Sequence, residues 1–289
     1  VTAADGHGAP RRLILCADDY GLAPGVDDAI LDLIARGRLT ATSVMVLPPT
    51  FSAAEAARLD AVARESGRAA IGLHVTLTAP FRPLTAGFSP LAPDGTFLSI
   101  GRMLVAAHLK PFDRAAVARE VDAQVAAFVA AFGRPPDFVD GHQHVHLLPG
   151  VRDAVLAAAR RAGPAVWVRQ CGQVTSPFGR LGDPKSLVLD ALSGALRRRA
   201  SALGVPTNPT FAGTYTFRPG TDYAGLFPGF LAGLPDGAVV MCHPGRVDAE
   251  LVRLDPLTGL REAEYAYLAG DAFPAALARA GMVLAHPTA

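Results

Sequence analysis

The sequence carries only three cysteines, Cys16, Cys171 and Cys242, with no CxxC spacing among them. An odd count without that spacing argues against a disulfide framework and for a reducing compartment, with the cytoplasm as the expected location. Charge is sparse too: 18% of residues are Asp, Glu, Lys or Arg, and the formal net charge is +1. No field of one sign therefore draws the chain to nucleic acid or to an acidic membrane surface. The one basic run, Arg197-Arg198-Arg199, follows an apolar helical pattern and reads as a solvated helix end. No apolar run approaches the roughly 18 residues needed to span a bilayer, and the opening VTAADGHGAPRR lacks the basic-then-apolar order of a signal peptide. Also missing is a glycine-rich phosphate loop after the first apolar segment, which argues against a dinucleotide-binding sheet.

What is present is apolar: 50% of the 289 residues are hydrophobic, enough for a large core. The chain reads as one domain over residues 1–289, with residues 1–11 a flexible N-terminal extension. RLILC is a short apolar run bounded by Asp18, Asp19 and Gly21, the pattern of a buried strand ending in carboxylates. GVDDAILDLIARG then has helical spacing at Val26, Ile30, Leu33 and Ile34, with Gly37 as a stop. SVMVL, AIGLHVTL, DFVDGH, AVWVRQ, TFAGTY, AVVMCH and MVLAHP are further strand candidates, most separated by Ala-rich helices such as DRAAVAREVDAQVAAFVAAFG. Repeated β-then-α order implies parallel strands with crossover helices. Seven or eight such units predict a single (β/α) barrel, TIM-like and irregular, rather than an open sheet. The Pro- and Gly-rich segments 81–111 and 171–183 read as loops that shape the mouth of a site.

In such folds the site lies at the carboxyl ends of the strands. Ionisable residues fall there repeatedly: Asp18 and Asp19 after the first strand, His74 near the end of the third, Asp140 and His142 at the fourth, and Arg169 and His243 at two later ones. Any one of these reads equally as a helix cap or a hydrogen-bonded core residue. Several imidazoles and a carboxylate converging on one mouth need a shared cation to offset their desolvation, so a metal is the economical explanation. Two imidazoles and one carboxylate leave open positions on an ion, as a catalytic site requires. That donor set also fits a facial-triad Fe(II) oxygenase, although such ligands are expected on an all-β scaffold. In FVDGHQHVH, three histidines alternate at His142, His144 and His146. If the strand continues, they share one face about 6.6 Å apart; if it stops at Gly141, any one of them can bind, and spacing alone does not choose.

Through ADDYGLAPGVDDAI, IGLHVTLT, FGRPPDFVDGHQHVHLLPGV and VMCHPG, in that order, the chain resembles the YdjC family of carbohydrate deacetylases, which includes chitooligosaccharide deacetylases. The resemblance implies a (β/α) barrel hydrolase that removes acetyl groups from N-acetylated sugars with one divalent ion, Mg or Zn foremost, Mn or Co as alternatives. It implies Asp19, His74 and His142 as metal ligands, Asp18 as the base and His243 as the acid. Arg169 falls at a position expected to contact substrate or steady a carboxylate. The implied partner is an acetylated amino-sugar; a homo-oligomer is left open. A barrel that binds sugar without turning it over is the non-enzymatic alternative. Tyr20 and Gln143 depart from the residues usual in the family and are expected to alter the substrate pocket.

Overall fold

In the computed structural model, which describes residues 9–67, 69–109, 112–173 and 184–287, RLILC lies within strand β1, Arg11–Tyr20. Residues 1–8 of the expected extension and 174–183 of the second expected loop lie outside the described residues. Arg11, assigned above to the extension, instead opens β1 and pairs with Met282. Every apolar run read as a strand contributes one: β2 Ala41–Val44, β3 Ala70–Val75, β4 Phe138–Gly141, β5 Trp167–Val168, β6 Phe211–Ala212, β7 Ala238–Cys242 and β8 Met282–Leu284. The helices are α1 Pro24–Ala35, α2 Ala53–Ser66, α3 Ile100–Leu109, α4 Arg114–Phe132, α5 Val151–Ala162, α6 Pro184–Leu203, α7 Tyr223–Leu231, α8 Ala249–Leu254, α9 Gly259–Ala269 and α10 Ala272–Arg279.

Local chemistry accounts for the boundaries. The α4 stretch begins at Asp113, whose carboxylate accepts from the amides of Ala115 and Ala116, and ends at Gly133 in the left-handed conformation. Two orphan amides are thereby satisfied, and the Gly133 amide satisfies the Val129 carbonyl, so the Ala-rich run is helical between punctuation marks legible in the sequence. Segment 81–111 departs from expectation. Its Pro- and Gly-rich first part is a loop, but GRMLVAAH forms α3, because Met103 and Ala107, four residues apart, bury one helical face.

All the strand pairs are parallel, in the order β5-β4-β3-β2-β1-β7-β6, with β8 against the start of β1. The two ends of that order meet. Val168 bridges Thr207, and the Asn208 side chain accepts from the Gln170 amide at 2.8 Å and donates to the Gln170 carbonyl at 3.0 Å. The sheet thus curls into a seven-strand barrel with a side-chain seam, where β5 and β6 have only two residues each. Leu13, Leu15, Val139 and Val240 are fully buried in the wall. Gly72 on β3 is required by packing: a Cβ there would sit 2.5 Å from the Phe138 ring, which stacks on Trp167. The basic run Arg197-Arg198-Arg199 is exposed on α6, with Arg199 paired to Asp153 of α5 at 2.9 Å. Among the described residues, no helix is long and apolar enough to cross a membrane.

Candidate metal centre and active site

The pairing of β1 with β2 loses register between Ala17 and Tyr20, and within that interval Asp19 adopts φ 73°. In a regular strand, adjacent side chains face opposite sides. The irregularity removes that alternation, and Asp18 and Asp19 both line one cleft at the carboxyl end of the barrel. A left-handed non-glycine residue costs roughly 1–3 kcal/mol, a cost that persists only where surrounding contacts fix it. The cleft has a volume of about 320 Å³, and His142, His243, Phe217, Met241 and Ile100 contribute to its walls.

β4 stops at Gly141, and Gln143 and His144 take left-handed φ values of 53° and 62°. That turn separates the three histidines. His142 Nδ1 reaches Asp19 Oδ1 at 2.9 Å, whereas His146 Nε2 donates to the Arg169 carbonyl at 2.8 Å. His144 turns its Nδ1 towards the Cys171 thiol at 3.5 Å. His74 enters from β3 and places Nε2 3.2 Å from the same Asp19 oxygen. Donor atoms of Asp19, His74 and His142 all lie within 4.8 Å of one another, and the three residues are buried. Donors sharing one ion at bond lengths of ~2.1 Å in a tetrahedral shell would lie about 3.4 Å apart, so this cluster has suitable dimensions. The Nδ1 of His74 meets Asp140 Oδ1 at 2.6 Å and Ser43 Oγ at 2.9 Å. With an ion bound, such a carboxylate would hold the proton on Nδ1 and leave Nε2 as the ligating lone pair.

The charges fit a cation at this point. Three buried carboxylates, Asp18, Asp19 and Asp140, face two buried guanidinium groups, Arg169 and Arg261. The shortage appears in His74: burial pushes its ring down, but Asp140 and Asp18 outweigh burial and push it up to about 10. Without another cation, the cluster supplies its own by protonating a ring. For Asp19, burial raises the carboxyl, and His142 and Arg261 overcome it, holding it well below the usual carboxylate range. A second grouping of donors, Cys16, Asp18 and Asp140, already has its cation. Arg169 grips Asp18 through both nitrogens at 2.6 and 2.7 Å and lies 3.0 Å from Asp140 Oδ2.

The residues singled out in the sequence are therefore divided by depth. Asp19, His74 and His142 form the cluster, and Asp18 and His243 share the cleft with it. Arg169 is not placed for the substrate contact expected of it: it is 0% exposed and occupied by carboxylates, so steadying Asp18 is the role its geometry offers. Tyr20 is also removed from the cleft wall, with its hydroxyl donating to the Glu55 carbonyl of α2 at 2.9 Å; Gln143 does line the cleft. His243 lies against Phe217 with ring centroids 5.4 Å apart, and burial pushes it down to about 4. Its amide donates to Glu264 Oε2 at 2.6 Å, and Tyr215 donates to the other Glu264 oxygen at 2.6 Å. Burial pushes Glu264 up to about 7. Sequence reading missed Glu264, Asp255 and Arg261. All three lie on or beside the last helices, where a charged residue in LREAEY has the pattern of a solvated face.

The sequence profile described as YdjC-like protein matches residues 12–279. The human protein named carbohydrate deacetylase is 36% identical over 159 residues, which are 53% of this chain and 47% of that protein. A Yersinia enterocolitica protein named chitooligosaccharide deacetylase is 35% identical over 142 residues, 49% of this chain and 53% of that one. The chain thus spans about half the length of the curated relatives it matches. A solved structure from Enterococcus faecalis, of a protein named for cellobiose-phosphate cleavage, superposes with a TM-score of 0.71 at 22% identity, covering 96% of this chain and 98% of that one. At that identity the superposition speaks for the fold, and the barrel described above is the shared feature. A profile match running from the first strand to the last helix shows that the chain belongs to the YdjC-like family.

Proposed function

We propose that the chain is a metal-dependent carbohydrate deacetylase, which hydrolyses the acetamide of an N-acetylated sugar or oligosaccharide. The observation that carries the reading is the meeting of Asp19, His74 and His142 beside Asp18 and His243 in one cleft. The names of the human and Yersinia relatives support the same chemistry. Asp19, His74 and His142 would hold one divalent ion, Mg or Zn foremost and Mn or Co as alternatives, since oxygen and imidazole donors admit all four. When bound, the ion supplies Lewis acidity to the acetyl carbonyl and to an attacking water.

The chain's own residues supply the proton transfers. Burial raises the Asp18 carboxyl, but Arg169 and His74 outweigh it and hold it well below the usual carboxylate range. Asp18 is thus ionised and aimed, ready to accept a proton, but only from a water made more acidic than bulk water. His243 begins neutral. Negative charge developing on the acetyl oxygen raises the affinity of a nearby imidazole for a proton, so His243 takes up from solvent the proton that it gives to the departing amine, while Asp18 returns to solvent the one it accepted from the water. Phe217, Met241, Ile100 and Leu257 give the cleft an apolar wall suited to a sugar face and an acetyl methyl group. The test is acetate release from a panel of N-acetylated sugars, run with chelator and with each metal added back. Release that stops with chelator and returns with metal is the expected result; sugar binding without acetate release would favour a barrel that only binds.

A further inference from the structure

Helix α9 is not part of the barrel wall, yet Arg261 reaches from it to the site. Its side chain is 1% exposed. One nitrogen, Nη2, donates to Asp19 Oδ2 and to Asp255 Oδ2, each at 2.6 Å, while Nε donates to the Leu257 carbonyl at 3.1 Å. The stem is confined as well: a Cβ on Gly245 would lie 3.3 Å from Arg261 Cβ and Cδ, and the Gly245 amide donates to the Arg261 carbonyl at 3.1 Å. Arg261 is therefore a fixed strut between the turn after His243 and the carboxylate of Asp19.

This strut divides the two oxygens of Asp19. Oδ2 is taken by Arg261, and Oδ1 faces His74 and His142. A carboxylate can bind an ion through one oxygen or both, and each added oxygen removes an open position from the ion. Asp19 could turn both oxygens inward only by giving up a short, charge-assisted bond in a buried place. We infer that Arg261 is a positioning residue of the metal centre, holding Asp19 to single-oxygen ligation, with Asp255 offsetting the charge that Arg261 brings near the ion. The inference deepens the metal-binding reading proposed above and rests on it. Asp255 matters because a guanidinium paired with Asp19 alone would repel an incoming cation. Sharing Nη2 between two carboxylates keeps the orientation while reducing that repulsion.

The test uses the full chain stripped of metal with chelator, with Co(II) as the probe, read by titration and by its visible absorption bands. Arg261→Met keeps the stem and removes the bonds; Asp255→Asn keeps Arg261 and removes the offsetting charge. Both variants are expected to bind Co(II) about 10- to 100-fold more weakly, the usual range for residues that orient a metal ligand. Arg261→Met should also show weaker visible bands, because a second Asp19 oxygen raises the coordination number, whereas Asp255→Asn should keep the wild-type band shape. Far-UV circular dichroism of the metal-free proteins checks the fold. If Arg261→Met does not fold, Asp255→Asn, altered at a side chain that is 16% exposed, carries the test through its affinity. Folded variants with wild-type affinity and spectrum overturn the inference while leaving the metal reading in place. A wild-type chain that does not bind Co(II) overturns the metal reading, and the inference falls with it.

Discussion

Replacing Asp18 by Asn separates holding a metal from doing chemistry. The side chain is 2% exposed, and both oxygens are engaged by Arg169, at 2.6 and 2.7 Å. Removing one partner of a buried ion pair costs about 3–5 kcal/mol. Two features place Asp18→Asn near the lower end: the amide oxygen can still accept one Arg169 bond, and Asp140 stays 3.0 Å from the guanidinium. A loss of about 3 kcal/mol in a chain of this size lowers the melting temperature by roughly 6–12 °C. Loss of a general base lowers turnover by about 100-fold or more. The expected variant melts earlier, purifies with the wild-type metal content per chain and releases acetate at least about 100-fold more slowly at a temperature where it is fully folded. Metal analysis, a thermal melt and an acetate assay on one preparation read all three. A metal-free Asp18→Asn protein would move Asp18 into the coordination shell, and wild-type turnover would remove it from the chemistry.

Three further outcomes are expected. His74→Ala should lose the metal itself, because it deletes one of three donors within 4.8 Å, and metal content of the purified variant checks this. His243→Ala should hydrolyse an activated acetyl ester far better, relative to wild type, than an N-acetylglucosamine substrate, since only the amine leaving group requires a proton; equal loss on both would give His243 an orienting role. His146 is 0% exposed, and burial together with Arg169 pushes it down to about 4. With a folded value below the ordinary 6.5, the unfolded chain takes up a proton that the folded one refuses, so stability falls as pH drops from about 6.5 to 4 by about 3 kcal/mol. His146→Gln should flatten the fall in melting temperature across that window, and an unchanged slope would mean the ring is protonated in place.

Much of the fold was legible because its signals are local. Buried parallel strands read as short apolar runs, and all eight are present where such runs occur. Asp113 and Gly133 bound α4 in the sequence as they do in the structure. The helix α3 was obscured by the Pro- and Gly-rich stretch before it, and the extent of β5 and β6 is set by the seam they form rather than by their own composition. The site was partly legible for a related reason: a strand end is a fixed position, so Asp19, His74, His142 and His243 could be placed at the mouth without knowing their distances.

Sequence alone determined the order of the elements, the end of the barrel at which polar residues gather and the family resemblance, since all three depend on residue type and spacing along the chain. Tertiary structure decided which groups meet. The break in register at Asp19 brings two adjacent aspartates to one cleft, and left-handed turns at Gln143 and His144 separate His142 from His146. Arg169 is spent on Asp18, 151 positions away, and Arg261 on Asp19, 242 positions away. No local pattern marks such partners. A buried cation and an exposed one have the same letter, and only the closed barrel determines which carboxylate lies within 3 Å of it.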